Sequence, residues 1–288
     1  MNKVLITGAH GQLAHDLISV FSKDKKYRVI KSTRNDFDIT KKRQVQKFIN
    51  YHKPNIIVNT IAFHKTNECE IKPEQSFDVN ALGAYYLACA ASKHNARVIY
   101  ISTDYVFDNS EKIHYEDHLP SPLNVYGASK IAGENLNRIG SLGNFLNIRT
   151  GWLYGKYQSG KGHDFVRLML TKAKANEQIK VVNDQFGSPT STADLSAKIK
   201  ELIDKKVPSG TYHLTNSGTT NWYLYTKEIF RLKKIQAKLL PISSKEFSSL
   251  VKRPQFSTIK SKQLAKLKIK PMQHWKKALN QFLGSNTL

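Results

Sequence analysis

Short apolar runs alternate with longer amphipathic stretches through the first half of the chain. The runs cover residues 4–6, 27–30, 56–59, 98–102 and 145–148. After the first run, Leu13, Leu17 and Phe21 recur at helical spacing, and helices are also predicted near 73–94 and 126–136. Strands that are apolar along their whole length are typical of a parallel sheet covered by helices on both faces. The pattern therefore predicts an α/β fold, a doubly wound parallel sheet of the Rossmann type, over residues 1–150.

The pattern becomes less regular after residue 150. Segments rich in Gly, Ser, Thr and Pro cover 157–163, 186–192 and 215–221 and separate shorter elements. We expect residues 151–288 to form mainly a smaller, discontinuous substrate-binding lobe, with some segments returning to the core. Because open α/β sheets bind ligands beyond the carboxyl ends of their strands, this lobe is expected to close over that edge.

The chain is strongly basic, since 45 Lys and Arg residues against 22 Asp and Glu give a net charge of +23. Such a charge predicts salt-sensitive capture of anionic ligands. The lysines are spread along the whole chain, without the arginine-rich arm or zinc-finger spacing of many nucleic-acid binders. We therefore favour phosphorylated small molecules over a specific nucleic-acid partner.

Cysteine usage and hydropathy indicate the compartment. Neither Cys69 nor Cys89 has CxxC or metal-ligand spacing, so we expect reduced thiols and no bound metal. No run approaches the roughly 18 apolar residues that a membrane span needs, and the N-terminal apolar run is too short for a signal peptide. We expect a cytoplasmic protein without a membrane partner.

The turn after the first strand carries a glycine pattern suited to phosphate binding. Gly8 permits a tight turn, Gly11 lets the backbone approach a pyrophosphate, and Ala14 allows the helix to pack closely on the strand. The N-terminus of the following helix adds N–H groups and the positive end of the helix dipole. Between a strand and a helix, this pattern predicts a dinucleotide site.

The end of the second strand indicates which dinucleotide binds. NAD sites place an acidic residue there to hold the ribose hydroxyls, whereas this chain has KSTR at 31–34. Because an arginine pairs bidentately with a phosphate, Arg34 favours NADPH, with NADH as the weaker candidate. Asp38 is open to two interpretations, namely contact with the adenine end of the cofactor or capping of a helix that begins near Thr40.

Tyr126 and Lys130 form the strongest chemical signal. At i and i+4 they share one face of a helix, and a nearby ammonium is expected to lower the tyrosine pKa and prepare the phenol for proton transfer. Thr103 ends the fourth strand at the carboxyl edge of the sheet, where its hydroxyl can bind a substrate carbonyl. The alternative for Thr103 is a Thr-Asp turn that ends the strand. Together with the glycine loop, the three residues favour catalysis.

Several longer motifs combine these residues. They are TGxxGQL at 7–13, STDYVF at 102–107, PLNVYGxxK at 122–130, NDQFGxPT at 183–190, RTGWLY at 149–154, GTTNW at 218–222 and RP at 253–254. In order and spacing they closely resemble the dTDP-4-dehydrorhamnose reductases, which are extended short-chain dehydrogenases/reductases. The resemblance covers essentially the whole chain.

The resemblance implies an activity and a set of site residues. NADPH would deliver hydride to C4 of dTDP-4-keto-L-rhamnose while Tyr126 protonates the oxygen, with Thr103 and Lys130 completing a catalytic trio. The expected cofactor contacts are Gly8, His10, Gly11, Gln12, Leu13, Arg34, Asp38, Ile39, Ile61, Ala62, Tyr126 and Lys130. The expected substrate contacts are Asp104, Tyr105, Trp152 and Arg253. Trp152 is suited either to stack on a sugar face or to fill the core.

The chain also departs from the family pattern. Members often have Asn-Ala-Ala-Ala after the third strand, whereas this chain has NTIA at 59–62, whose bulkier side chains could alter packing against the cofactor. His15 stands where some members carry a glutamate implicated in a magnesium-linked dimer. The expected site therefore contains no metal, and a homodimer stays open.

Other functions need residues that this chain has only in part. A 4,6-dehydratase would carry Thr-Asp-Glu, whereas this chain has Tyr105 at the third position. A bifunctional epimerase-reductase needs further acid–base groups, for which His64, Lys65 and Cys69 are candidates. A cofactor-binding regulatory subunit of the methionine adenosyltransferase type would not need the catalytic trio. The carrier nucleotide, dTDP or UDP, and the product stereochemistry stay open.

Overall fold

The computed structural model describes residues 1–158, 164–175, 178–247 and 249–285, so residues 159–163 of the predicted loop 157–163 lie outside the described part. The central strands are β1 Asn2–Thr7, β2 Tyr27–Ser32, β3 Ile56–Asn59, β4 Arg97–Thr103, β5 Phe145–Thr150 and β10 Gly210–His213. In the described part of the chain they form one parallel sheet in the order β10–β5–β4–β3–β1–β2. The order reverses beside β1, which is where doubly wound sheets bind ligands.

Both faces of this sheet are buried by helices. On β1, Val4 and Ile6 pack into one apolar cluster and Leu5 into another, as the two-residue period of a strand requires. The first cluster includes side chains from α1 Gln12–Ser22 and α8 Thr192–Asp204. The second includes side chains from α2 Lys42–His52 and α5 Gly83–Ser92, and α6 Val125–Gly140 packs beside α5. The predicted doubly wound α/β fold is confirmed.

Short helical segments connect this layer to the sheet edge. They are α3 Thr66–Ile71, α4 Pro73–Phe77, a π-helical turn Asp78–Leu82 and a 3-10 turn Asp104–Val106. The helix predicted at 73–94 is thus one helical path that contains a π-helical turn and ends at Ser92.

The chain beyond residue 150 builds small paired strands and an aromatic cluster, besides α8 and β10. The strand pairs are β6 Leu153–Tyr154 with β9 Thr190–Ser191, β7 Ile179–Val182 with β13 Leu239–Ile242, β8 Phe186–Gly187 with β12 Thr220–Asn221, and β11 Asn216–Ser217 with β14 Met272–His274. The helices are α7 Phe165–Lys174, α9 Trp222–Lys233, α10 Lys262–Lys266 and α11 Trp275–Gly284. Tyr154, Tyr225, Trp275 and Phe282 pack together among them. No helix within the described residues is long and apolar enough to cross a bilayer.

Candidate active site

The glycine loop between β1 and α1 is tightly packed at two positions. Gly8 has a left-handed φ of +66°, and a Cβ there would lie 3.2 Å from both Ile61 Cγ1 and Thr60 Oγ1. A Cβ at Gly11 would lie 3.1 Å from the carbonyl oxygen of Gly8. Gly11 is also the N-cap of α1 and offers no side-chain acceptor, so the first N–H groups of the helix are available to an anion.

The other loop residues predicted to contact the cofactor, Gln12, Leu13 and His10, differ in burial and in hydrogen bonding. The Gln12 amide donates to the carbonyl oxygen of Tyr157 at 2.8 Å and to Asp164 Oδ2 at 3.1 Å, which ties the loop to the second lobe. Leu13 is buried in the first apolar cluster, and His10 is exposed. The loop is thus anchored by Gln12.

The residues predicted to select the cofactor lie after β2. The Arg34 side chain is 85% exposed, and its guanidinium contacts Asp38 Oδ2 at 3.3 Å. Asp38 Oδ1 accepts from the N–H and the hydroxyl of Thr40 at 2.9 and 2.8 Å, and these bonds help to lower the pKa of Asp38. Asp38 therefore closes a turn, whereas α2 begins later, at Lys42. Ile39 is buried and its side chain contacts Gly83, so only its backbone is available to a cofactor.

Thr103 and Tyr126 face one cavity because α6 approaches the end of β4 closely. The Asn124 side chain caps α6 by accepting from the Gly127 N–H at 2.8 Å. A Cβ on Gly127 would lie only 2.2 Å from the carbonyl oxygen of Tyr105, so glycine is what permits this approach. The Thr103 hydroxyl accepts from the Tyr105 N–H at 3.2 Å and contacts Asp104 Oδ1 at 3.2 Å.

Lys130 lies deeper, one turn along α6 from Tyr126. It is 1% exposed, its Nζ has no hydrogen-bond partner, and this Nζ lies 3.9 Å from the centre of the Tyr100 ring. Burial lowers the pKa of Lys130 to about 7, and burial raises the pKa of Tyr126 well above its ordinary value. The net direction for Tyr126 is upward, because loss of water outweighs the hydrogen bond of Thr103, which lowers this pKa. The expected effect of the Lys130 ammonium on Tyr126 stays a prediction. The phenol is held protonated, the form that donates a proton.

The predicted substrate residues also line this cavity. Asp104 is 3% exposed, and burial raises the pKa of its carboxyl group to about 7. Burial likewise raises the pKa of Tyr105 to about 12, which nearby Arg253 partly offsets. The Trp152 indole stacks face to face on Trp222, with ring centres 3.4 Å apart and planes 2° apart. One face of Trp152 is therefore covered, and a sugar can stack there only if Trp222 moves.

The cavity is about 500 Å³ and runs from the glycine loop past Thr103 and Tyr126 to Arg253. Of the predicted residues its wall contains Gly11, Gln12, Leu13, Ala62, Thr103, Asp104, Tyr105, Tyr126, Trp152 and Arg253. Gly8, His10, Arg34, Asp38, Ile39, Ile61 and Lys130 do not form part of this wall. Sequence reasoning missed Thr60, Phe165, Leu168 and Trp222, which do. Trp222 ends the GTTNW motif, which is the one signal that could have found it.

In the described ranges no group of three or more His, Cys, Asp or Glu side chains could hold a metal ion. His15, the position of interest for a metal-linked dimer, stacks instead on the Tyr157 ring with centres 4.1 Å apart.

The chain is similar to proteins of known class. Residues 1–287 match the family model described as RmlD substrate binding domain. A dTDP-4-dehydrorhamnose reductase of Aggregatibacter actinomycetemcomitans is 34% identical over 90% of this chain and 90% of that protein. A dTDP-4-keto-6-deoxy-D-glucose reductase of Streptomyces niveus is 34% identical over 96% of this chain and 95% of that one. The crystal structure of a dTDP-4-dehydrorhamnose reductase from Bacillus anthracis in complex with NADP superposes with a TM-score of 0.93 at 36% identity, covering 98% of this chain and 99% of that one. This chain therefore belongs to the family of the dTDP-4-dehydrorhamnose reductases.

Proposed function

We propose that this protein reduces the 4-keto group of a dTDP-linked 6-deoxysugar with NADPH, converting dTDP-4-dehydro-L-rhamnose to dTDP-L-rhamnose. The observation that carries the proposal is the single cavity whose wall includes the helix start at Gly11 and the hydroxyls of Thr103 and Tyr126. A dinucleotide bound at the helix start and a sugar bound near Arg253 would meet at those hydroxyls. The names of the relatives and the NADP complex of the Bacillus anthracis protein support the same reaction.

The residues of the chain fit NADPH. The tight glycine turn leaves backbone N–H groups for the pyrophosphate, and Arg34 has an exposed guanidinium suited to the 2′-phosphate. Lys130 has a buried, unpartnered amine, which the ribose hydroxyls next to the nicotinamide would satisfy. When bound, NADPH supplies the hydride.

Side chains of the protein position the carbonyl group and supply the proton. Thr103 donates a hydrogen bond that holds the substrate carbonyl, and Tyr126 transfers its phenolic proton to the carbonyl oxygen as that oxygen becomes an alcohol. The raised pKa of Tyr126 keeps this proton in place until the oxygen becomes basic. Lys130, when protonated, stabilises the phenolate that remains, and the phenol then regains a proton from water.

The residues proposed to contact the substrate are expected to determine its binding and the specificity of the enzyme. Arg253 is suited to the anionic diphosphate, and Asp104 to the sugar hydroxyls. Trp222 joins this set because its indole stacks on Trp152 at the cavity wall. Since position 105 is a tyrosine and not a glutamate, the wall offers no dehydratase acid there.

The test is NADPH oxidation with purified dTDP-4-dehydro-L-rhamnose, beside its UDP analogue and dTDP-4-keto-6-deoxy-D-glucose. The second dTDP sugar belongs in the assay because the Streptomyces niveus relative bears its name. Faster turnover of the rhamnose precursor by at least tenfold is expected. No turnover of any of the three, with intact NADPH binding, would contradict the proposal and favour a regulatory subunit. Product analysis by NMR also detects epimerisation.

The proposal extends to the location of the protein, its division into two lobes and its oligomeric state. We infer a cytoplasmic location, because NADPH and nucleotide sugars are cytoplasmic metabolites, and fractionation of cells checks it. The division at residue 150 into cofactor and substrate lobes is tested by limited proteolysis with and without NADPH. A homodimer is tested by light scattering with and without EDTA, and loss of a dimer on chelation would contradict the expected metal-free state.

A further inference from the structure

The surroundings of Lys130 differ from those of the nearby buried cation Arg149. The Arg149 guanidinium, on β5, donates to both carboxylate oxygens of Glu134 at 2.8 to 3.2 Å. The Lys130 amine has no hydrogen-bond partner although it is 1% exposed. A buried amine without a partner loses its proton readily, so other groups must support the charged form that the proposed chemistry uses.

The ring of Tyr100 is the nearest such group. It comes from β4, is fully buried, and has the Lys130 Nζ 3.9 Å from its centre. The Tyr100 hydroxyl donates to the carbonyl oxygen of Asn80 at 2.7 Å, and a Cβ on Gly133 would lie 2.3 Å from that hydroxyl. The ring is thus locked with its negative face toward the amine. Such cation–π contacts are strongest where water is absent.

Glu134 supplies a full negative charge one helical turn beyond Lys130. Its carboxylate is 4% exposed and raises the pKa of Lys130, against the larger effect of burial. The Ser102 hydroxyl donates to Glu134 Oε1 at 2.5 Å, so the carboxylate also ties the end of β4 to α6. The titratable and charged groups that face Lys130 from other elements are Tyr100 and Cys69. Arg149 faces Glu134, and His213 contacts Arg149 in turn.

We propose that Tyr100 and Glu134 are positioning residues, whose ring face and carboxylate together keep the amine of Lys130 in its ammonium form beside Tyr126. The inference rests on the proposed function, because the ammonium matters only where Lys130 serves the cofactor and the phenol. Neither residue touches the substrate cavity. Removal of either group should therefore lower the pKa of Lys130. The pH above which activity declines should then decrease with it.

The experiment compares two replacements of Tyr100. Tyr100→Phe keeps the ring face, and Tyr100→Leu removes it. The protonation of Lys130 is followed by NMR of protein labelled with ¹³C at the lysine ε-carbon, in the absence of NADPH and substrate. The resonance of Lys130 is the one missing from the spectrum of Lys130→Met. The wild-type midpoint should lie near pH 7, Tyr100→Phe should leave it within about 0.3 units, and Tyr100→Leu should lower it by about one unit. Equal midpoints for the two variants would overturn the proposal for Tyr100. If the Tyr100→Leu variant does not fold, Tyr100→Met takes its place as the variant that lacks the ring.

Glu134 needs a paired design, since Glu134→Gln alone leaves the Arg149 charge buried and unpaired. The double variant Glu134→Gln with Arg149→Met removes both charges and leaves neither unpaired, so wild type is its reference. The double variant should have a lower Lys130 midpoint than wild type by about one unit. An unchanged midpoint would overturn the role of Glu134. These titrations use no sugar, so absence of turnover refutes the proposed function separately.

Discussion

Replacing Gly127 by alanine tests whether the close approach of α6 to β4 sets the catalytic geometry. The added methyl carbon would lie 2.2 Å from the carbonyl oxygen of Tyr105, whereas ordinary contact begins near 3.4 Å. The helix must therefore move by roughly 1 Å, the difference between these distances. Because Tyr126 is the preceding residue, its hydroxyl moves relative to Thr103. A misplacement of about 1 Å costs on the order of 10²-fold in rate.

The assay is kcat for the 4-keto sugar, measured beside the thermal unfolding midpoint. We expect kcat to fall by about 10²-fold and the free energy of unfolding to fall by about 1–3 kcal/mol from overpacking. Gly284→Ala is the matched control, because a Cβ there meets no atom within 4 Å, and it should leave kcat unchanged without lowering the free energy of unfolding. A Gly127→Ala variant that retains kcat within about threefold would show that this contact does not control the geometry of the site.

Three further changes test the proton donor, the cofactor contact and the buried carboxyl group. Tyr126→Phe should lower kcat by about 10²–10⁴-fold with NADPH affinity nearly unchanged in a fluorescence titration, and near-wild-type turnover would remove Tyr126 from the role of proton donor. Arg34→Ala should weaken NADPH far more than NADH, and equal losses would exclude the 2′-phosphate contact. Asp104→Asn should raise the free energy of unfolding at pH 8 and not at pH 4. The native carboxyl keeps its proton up to about pH 7 while the unfolded one ionises near 3.8, so the wild type loses up to about 4 kcal/mol across that window. A denaturation series that shows no such pH dependence would contradict the burial of Asp104.

The sheet and the location of the site could be predicted because both follow from local patterns. Residues 56–58 are apolar without alternation, which already indicates helices on both faces of the sheet. Parallel strands that share a carboxyl edge bring Thr103 toward the glycine loop, whatever the details of the second lobe. The i, i+4 spacing likewise places Tyr126 and Lys130 on one face of α6.

The properties that sequence could not supply depend on distant contacts. The spacing of Tyr126 and Lys130 predicts attraction between them, but the depth of burial, which decides both pKa values, depends on the whole fold. Trp222 meets Trp152 across 70 positions of the chain, and no local pattern indicates that pairing. Ile39 occupies a plausible cofactor position in sequence, yet its side chain packs against Gly83 because the chain turns inward after Asp38.

We propose that NADPH bound beside Thr103 and Tyr126 transfers hydride to C4 of a dTDP-linked 4-keto sugar. The most direct measurement uses NADPH deuterated at C4 of the nicotinamide, with each face labelled in turn, and dTDP-4-dehydro-L-rhamnose as substrate. Deuterium is expected at C4 of dTDP-L-rhamnose from one of the two labelled faces, and this product is expected to be lost in Tyr126→Phe. Deuterium at another sugar carbon, or an unlabelled product from both cofactors, would contradict it.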